Sequence, residues 1–350
     1  MERRSIRKAG FVLALILISG CADEAPETSD SICQSEEAQE TGLQVSADDQ
    51  TFFYADSPEG DQVGFERGGS VLELDPGDYQ VRINSSRYPV TIRSGQITRC
   101  TASSIVVTGS TDAYYYMLDS LGTQLAFATL GEPLWLFAGS YIAKLNDTRV
   151  EVTLPWSGAI QVASGTVVVT GTTDEYYYVD DAGGTQLAFA TLDDPMSVFP
   201  GSYAARLNSS VSSFTVNADD NVVVASGTVL GAGTTEEYYY ILDVGGNQLG
   251  FARLGDSSAY LPGEYQVRVS GTIVPIGVQP NAVTEITTGT LVVPGAESEY
   301  YYILDEAGSQ LAFNRLGMPT SLVPGVYSVR VADRTASVTI TPGSTTTSAP

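Results

Sequence analysis

The residues best placed to do chemistry are tyrosines. The triplet Tyr-Tyr-Tyr stands at 114–116, 176–178, 238–240 and 300–302, each 62 residues from the last, and one further step back reaches Phe52-Phe53-Tyr54. In an extended strand successive side chains point to opposite faces. The middle residue of each triplet shares a face with the residue two further on (Met117, Val179, Ile241 or Ile303), which is always apolar. With that face inward, Tyr114 and Tyr116, Tyr176 and Tyr178, Tyr238 and Tyr240, and Tyr300 and Tyr302 point outward as pairs. These pairs are candidate binding residues, able to stack on sugars or anchor a protein partner. The competing expectation is that they pack against a neighbouring unit or pair across the sheet. With the opposite parity only one tyrosine per triplet faces out. A basic residue recurs in step at Arg82, Lys144, Arg206, Arg268 and Arg330. It is expected on an outward face, beside a carboxylate or over a tyrosine ring.

Other chemistry finds less support. The chain contains no histidine, which removes the commonest general base and the commonest metal ligand. Beyond the N-terminal leader the one lysine is Lys144, at the recurring basic position. A repeated unit also makes a single catalytic centre improbable, so we expect no enzyme and no cofactor. The acidic clusters Asp174-Glu175, Asp180-Asp181, Asp193-Asp194 and Asp219-Asp220 invite comparison with calcium sites, yet they lack the spacing of a defined loop. They read as solvated surface, and no metal ligand set is assigned. Cys33 and Cys100 form an even pair and read as one disulfide in an oxidising compartment. A loop of that length is stabilised by roughly 4 kcal/mol on chain-entropy reasoning.

The elements that hold these residues repeat without insertion or deletion. Gly60, Gln62, Phe65, Gly77, Tyr79 and Arg82 recur at every 62-residue step through Gly308, Gln310, Phe313, Gly325, Tyr327 and Arg330. In the fourth copy, residues 237–242 are a β run, 243–246 a turn with Asp first and Gly last, and 248–254 a return strand. Tyr265, Val267 and Val269 alternate with Glu264, Gln266 and Arg268, the pattern of a half-buried strand. Residues 272–278 and 283–287 supply two more. Six or seven short strands per unit, and no helical period, predict an all-β chain of five tandem β-sandwich modules of 62 residues. The invariant Phe and the Tyr of Gly-x-Tyr are expected in each core. A five-bladed β-propeller is the alternative, although its blades carry four strands.

The pattern Y-x-x-x-D-x-x-G-x-Q-L-x-F…P-G-x-Y-x-V-R-V resembles the small Ig-like or prealbumin-like β-repeats of bacterial surface proteins, including PEGA-type and carboxypeptidase-regulatory-like modules, from about Leu43 to Thr341. Gly-x-Tyr resembles the tyrosine corner of Ig-like sandwiches. The resemblance implies spacers, display scaffolds or binding units, with a polysaccharide or an envelope protein as partner.

The N-terminus supplies the address. Arg3, Arg4, Arg7 and Lys8 precede an apolar run, Phe11 to Ile18, and then the small residues Ser19 and Gly20. This is the layout of a secretory signal, too short to span a bilayer, which takes about 20 residues. Ile18-Ser19-Gly20-Cys21 resembles the bacterial lipobox, which implies cleavage before Cys21, acylation of its thiol, and anchoring in the cell envelope, at the outer membrane. Several acyl chains make a durable anchor where one holds marginally. Removing residues 1–20, with four basic side chains and Glu2, takes the formal charge from −24 to −27. That balance disfavours nucleic acid and anionic lipid as partners. The expected organisation is signal peptide 1–20, flexible tether 21–41, repeats at 42–103, 104–165, 166–227, 228–289 and 290–341, and a disordered tail 342–350.

Overall fold

A computed structural model describes residues 32–349; the leader and Cys21 lie outside the described residues. All regular structure among the described residues is β, arranged as ten sheets, two to a unit. The second unit shows the plan. Its strands Gln124–Thr129, Tyr114–Leu118, Gly139–Leu145 and Thr148–Leu154 lie side by side in one antiparallel sheet. The other sheet has Ser103–Thr108 in the middle, with Leu134–Leu136 antiparallel on one side and Gly158–Ala163 parallel on the other. The inward residues of both sheets, Ile105 and Val107 from one and Tyr115, Met117, Ala143 and Leu145 from the other, form one core. Each unit is therefore a sandwich with its own core. A propeller blade is a single sheet, so the propeller alternative does not describe this chain.

Local chemistry explains the hairpin. Asp119 Oδ1 accepts hydrogen bonds from the N–H groups of Leu121 (2.9 Å) and Thr123 (2.8 Å). Gly122 then takes φ +84°, a conformation glycine adopts without steric cost. These bonds favour the ionised carboxylate and lower the Asp119 pKa, and the same turn recurs at Asp181 and Asp243.

Three expectations need correction. The invariant phenylalanines are not in the cores: Phe65, Phe127, Phe189, Phe251 and Phe313 are all exposed. Directly opposed residues on paired strands share a face, and Phe127 stands opposite Tyr116, an outward residue, just as Phe251 stands opposite Tyr240. The second correction concerns the tether. Cys33–Glu37 is a strand, paired antiparallel with Gln96–Thr101 and tied by the Cys33–Cys100 disulfide (S–S 2.03 Å). The third concerns the tail, where Thr345–Thr347 forms the last strand, parallel to Gly289–Val292.

Candidate functional site

The triplet strand places its three rings by alternation. Tyr115, Tyr177, Tyr239 and Tyr301 are fully buried. The Tyr115 hydroxyl crosses the sandwich to lie 3.0 Å from the Ile105 carbonyl oxygen and 2.8 Å from that of Glu132. Tyr177 and Tyr239 repeat the geometry, and Tyr301 reaches Thr320 Oγ1 at 2.7 Å. Burial raises the pKa of each of these phenols.

The first and third rings share the opposite face, and that face is the outward one. Tyr114, Tyr176, Tyr238 and Tyr300 are 52, 53, 38 and 41% exposed, and Tyr116, Tyr178, Tyr240 and Tyr302 are half-buried. The missed residue is the phenylalanine, which sits between them. Phe127 lies 5.7 Å from Tyr114 and 6.0 Å from Tyr116, centroid to centroid. The same three-ring row recurs around Phe65, Phe189, Phe251 and Phe313. Its signal was available: a residue directly across a hairpin from an outward tyrosine must itself be outward. The rings pair across the sheet and stay accessible.

The recurring cation finishes the row. Arg82, Arg206, Arg268 and Arg330 hold their guanidinium carbons 4.3, 4.3, 4.8 and 5.0 Å from the ring centres of Tyr54, Tyr178, Tyr240 and Tyr302. These distances are within cation–π range. The carboxylate partner differs between units. Arg82 pairs with buried Asp56 at 3.2 Å, and Arg206 with buried Asp180 at 2.6 Å. Lys144 pairs with Asp147 at 2.8 Å. The place of Asp56 and Asp180 is held by Leu118, Leu242 and Leu304 in the other units. Clefts open where one row meets the next unit. One of 490 Å³ is lined by Tyr114, Tyr116 and Lys144 with Phe189, and another of 450 Å³ by Phe52, Tyr54 and Arg82 with Phe127.

The Gly-x-Tyr tyrosine serves the joint between units. Phe137, Phe199, Leu261 and Val323 are buried, and each sits in the core of the unit before its own. The backbone at each plug is bonded on both sides. Its N–H donates to Ser86, Thr148, Ser210 or Thr272 of the preceding unit, at 3.3, 3.2, 2.9 and 3.0 Å. Its carbonyl accepts from the hydroxyl of Tyr141, Tyr203, Tyr265 or Tyr327 of its own unit, at 2.7, 2.6, 2.6 and 2.9 Å. The tyrosine ring folds back over the glycine two residues earlier: a Cβ on Gly201 would lie 2.8 Å from the Tyr203 hydroxyl. Burial pushes the Tyr203 pKa up to about 12. Asn84, Asn146 and Asn208, in left-handed backbone, reach across the same joints to the carbonyls of Trp135, Ser197 and Ala259.

Of the acidic clusters, Glu175 is committed to the joint after its unit. It accepts from Asn208 Nδ2 (2.7 Å), Ser258 Oγ (2.7 Å) and the Ala259 N–H (2.6 Å). Among the described residues no three His, Cys, Asp or Glu side chains group as metal ligands.

No family model matches the chain, and no curated protein matches it. Among solved structures it is similar to the Bacillus anthracis TIE protein, at 10% identity over 93% of this chain and 76% of that one, TM-score 0.17. It is similar also to BcpA, the major pilin subunit of Bacillus cereus, at 9% identity over 71% and 98% of the two chains, TM-score 0.15. The pilus adhesin SpaC from Lactobacillus rhamnosus GG is matched at 9% identity over 91% and 56%, TM-score 0.15. These scores are too low to establish a shared fold, and the assignment to tandem sandwiches rests on the strand pairing above.

Proposed function

We propose that this chain is a lipid-anchored, non-catalytic protein of the cell envelope, held at the outer membrane through Cys21, whose joined β-modules act as a spacer or scaffold. The observation that carries the scaffold reading is the plug in each of four successive joints, an apolar side chain seated in the preceding core with both backbone groups bonded. Burying one such side chain contributes about 1.5–3 kcal/mol, enough to couple neighbours that are marginal alone. The membrane is the partner implied by the lipid; nucleic acid, metal and cofactor have no place in this reading. Mass spectrometry of the chain recovered from bacterial membranes tests the anchor. A cleaved, acylated Cys21, and release of Cys21→Ser into the soluble fraction, are expected. An unmodified N-terminus on the wild-type chain would sink the anchor.

A second reading is favoured by the outward rows of rings. Exposed aromatics repeated in each unit suit a surface that holds a polysaccharide or an envelope protein through many weak contacts, which multiply when linked.

A further inference from the structure

The fourth and fifth units differ from the first three in what surrounds the aromatic row. In the first and third units the recurring arginine is neutralised by a buried aspartate, and in the second the lysine is neutralised by Asp147. In the fourth and fifth, Leu242 and Leu304 stand at the aspartate position. Among the described residues no carboxylate lies within 4.0 Å of the Arg268 or Arg330 guanidinium, and Arg268 has only the Gln248 side-chain oxygen at 3.5 Å.

A second arginine closes the other end of each row. Arg253 lies 5.6 Å from the Tyr238 ring centre and donates to its hydroxyl at 3.2 Å; Arg315 lies 6.0 Å from the Tyr300 ring centre. The first unit has Arg67 at this position, 5.1 Å from the Phe52 ring centre, and the second and third units have Thr129 and Thr191. Each of the last two faces thus carries two arginines with no carboxylate within 4.0 Å among the described residues, one at either end of three rings, and Glu236 and Asp256 act on Arg253 only from farther off. The exposed phenylalanine stands at the middle.

We propose that the outward faces of the fourth and fifth units bind a polysaccharide bearing carboxylate groups, a polyuronate. Its sugar rings lie on Phe251 and Phe313, and its carboxylates meet Arg268 and Arg330. This rests on the second reading above and names its ligand. A planar guanidinium grips a carboxylate through two parallel N–H bonds, and a ring already beneath it holds it in place. A formal charge of −27 beyond the leader repels a polyanion at long range, but salt screens that repulsion beyond roughly 8 Å. Affinity must therefore come from contact, and two like faces in one chain multiply it.

Electrophoresis of the full chain through native gels containing polygalacturonate, alginate or dextran tests the proposal. Retardation by the two uronates and not by dextran is expected. Leu242→Asp/Leu304→Asp installs the neutralising carboxylate of the first and third units while keeping every ring and arginine. It should weaken uronate binding at least about tenfold. Arg268→Gln/Arg330→Gln should do the same without adding a buried charge, and circular dichroism verifies the fold of both. Equal retardation by dextran overturns the uronate proposal and leaves an aromatic sugar-binding face. Retardation by none of the three overturns it too, leaving a protein partner for the second reading. Undiminished uronate binding in the arginine double variant also overturns it.

Discussion

Truncating one plug should damage the unit that receives it more than the unit that supplies it. Phe199 belongs by sequence to the third unit, yet its ring is packed in the core of the second with Ile105, Tyr115, Met117, Leu145 and Leu154. It is 2% exposed. Phe199→Ala removes a fully buried aromatic from a packed core, a change that costs about 3–5 kcal/mol. The backbone bonds at 199, to Thr148 Oγ1 and from the Tyr203 hydroxyl, do not depend on the side chain, so the loss is one of packing. A small domain is stable by only about 5–15 kcal/mol in total, so the loss should register as local opening. Native-state hydrogen exchange resolves where it falls. Amides of Tyr114–Leu118 and Gly139–Leu145, strands of the second unit, should lose the most protection. Amides of Tyr176–Asp180 and Gly201–Leu207, in the third, should lose less. Tyr203→Phe is the companion measurement. It strips one hydrogen bond from the buried Phe199 carbonyl and should cost about 1–3 kcal/mol with the packing intact. Protection lost from the third unit alone after Phe199→Ala would refute the plug as the coupling element.

Two further perturbations follow from the cores. In the fourth unit Tyr260 replaces the aliphatic residue found at Leu136, Val198 and Leu322, and Gly250 replaces the alanine found at 126, 188 and 312. A Cβ on Gly250 would lie 2.4 Å from the Tyr260 hydroxyl. Gly250→Ala should therefore destabilise by about 1–3 kcal/mol. Tyr260→Leu in the same chain should recover most of that loss, and additive costs in urea denaturation of the double-mutant cycle would show that the two residues are not coupled. At alkaline pH, burial raises Tyr203 and Tyr260 from 10.0 to about 12, and raises Tyr115, Tyr177, Tyr239 and Tyr301 as well. The folded state thus prefers the protonated phenol. That contribution is complete below pH 10 and is lost as the pH rises through 12. Circular dichroism and tyrosinate absorbance should change together across that window; complete ionisation with the fold intact would contradict the burial.

Much of this was legible because the 62-residue step is free of insertions. Alternation put Tyr114 and Tyr116 on one face and Tyr115 with Met117 on the other, the structure shows the second face to be the buried one, and Asp-x-x-Gly marked the hairpin turn. The outward phenylalanine is not legible from its own strand, because its facing is set by the partner strand. Gln124–Thr129 carries Leu125, Phe127 and Thr129 on one side, and only pairing with the triplet strand shows which side that is. A register shift between Met117 and Leu118 adds to the difficulty, since counting back from the turn gives the wrong partner. The strand Cys33–Glu37 was hidden by composition: CQSEE has no apolar alternation, and it is held by one neighbouring strand and a disulfide. The joint was invisible for another reason. A residue packed into the preceding core leaves no periodic signal in its own unit.

The departures from the repeat support reading Gly-x-Tyr as part of a joint as well as a corner within one sandwich. If the tyrosine only stabilised its own unit, the residue four before it would be equally apolar in all five. It is Phe, Phe, Leu and Val at 137, 199, 261 and 323, where a preceding core receives it. In the first unit the position is Asp75, exposed, although Tyr79 still donates to its carbonyl at 3.0 Å. The accepting hydroxyl shows the converse. It is Ser or Thr at 86, 148, 210 and 272, each bonded to the next unit's plug, and the fifth copy has Arg334 there. Exposed Asp75 and Arg334 stand where the other units carry the apolar plug and the hydroxyl socket. The hydroxyl-to-carbonyl bond persists where the plug does not, so the corner holds the turn in every unit. The apolar residue on that turn is what converts it into a joint.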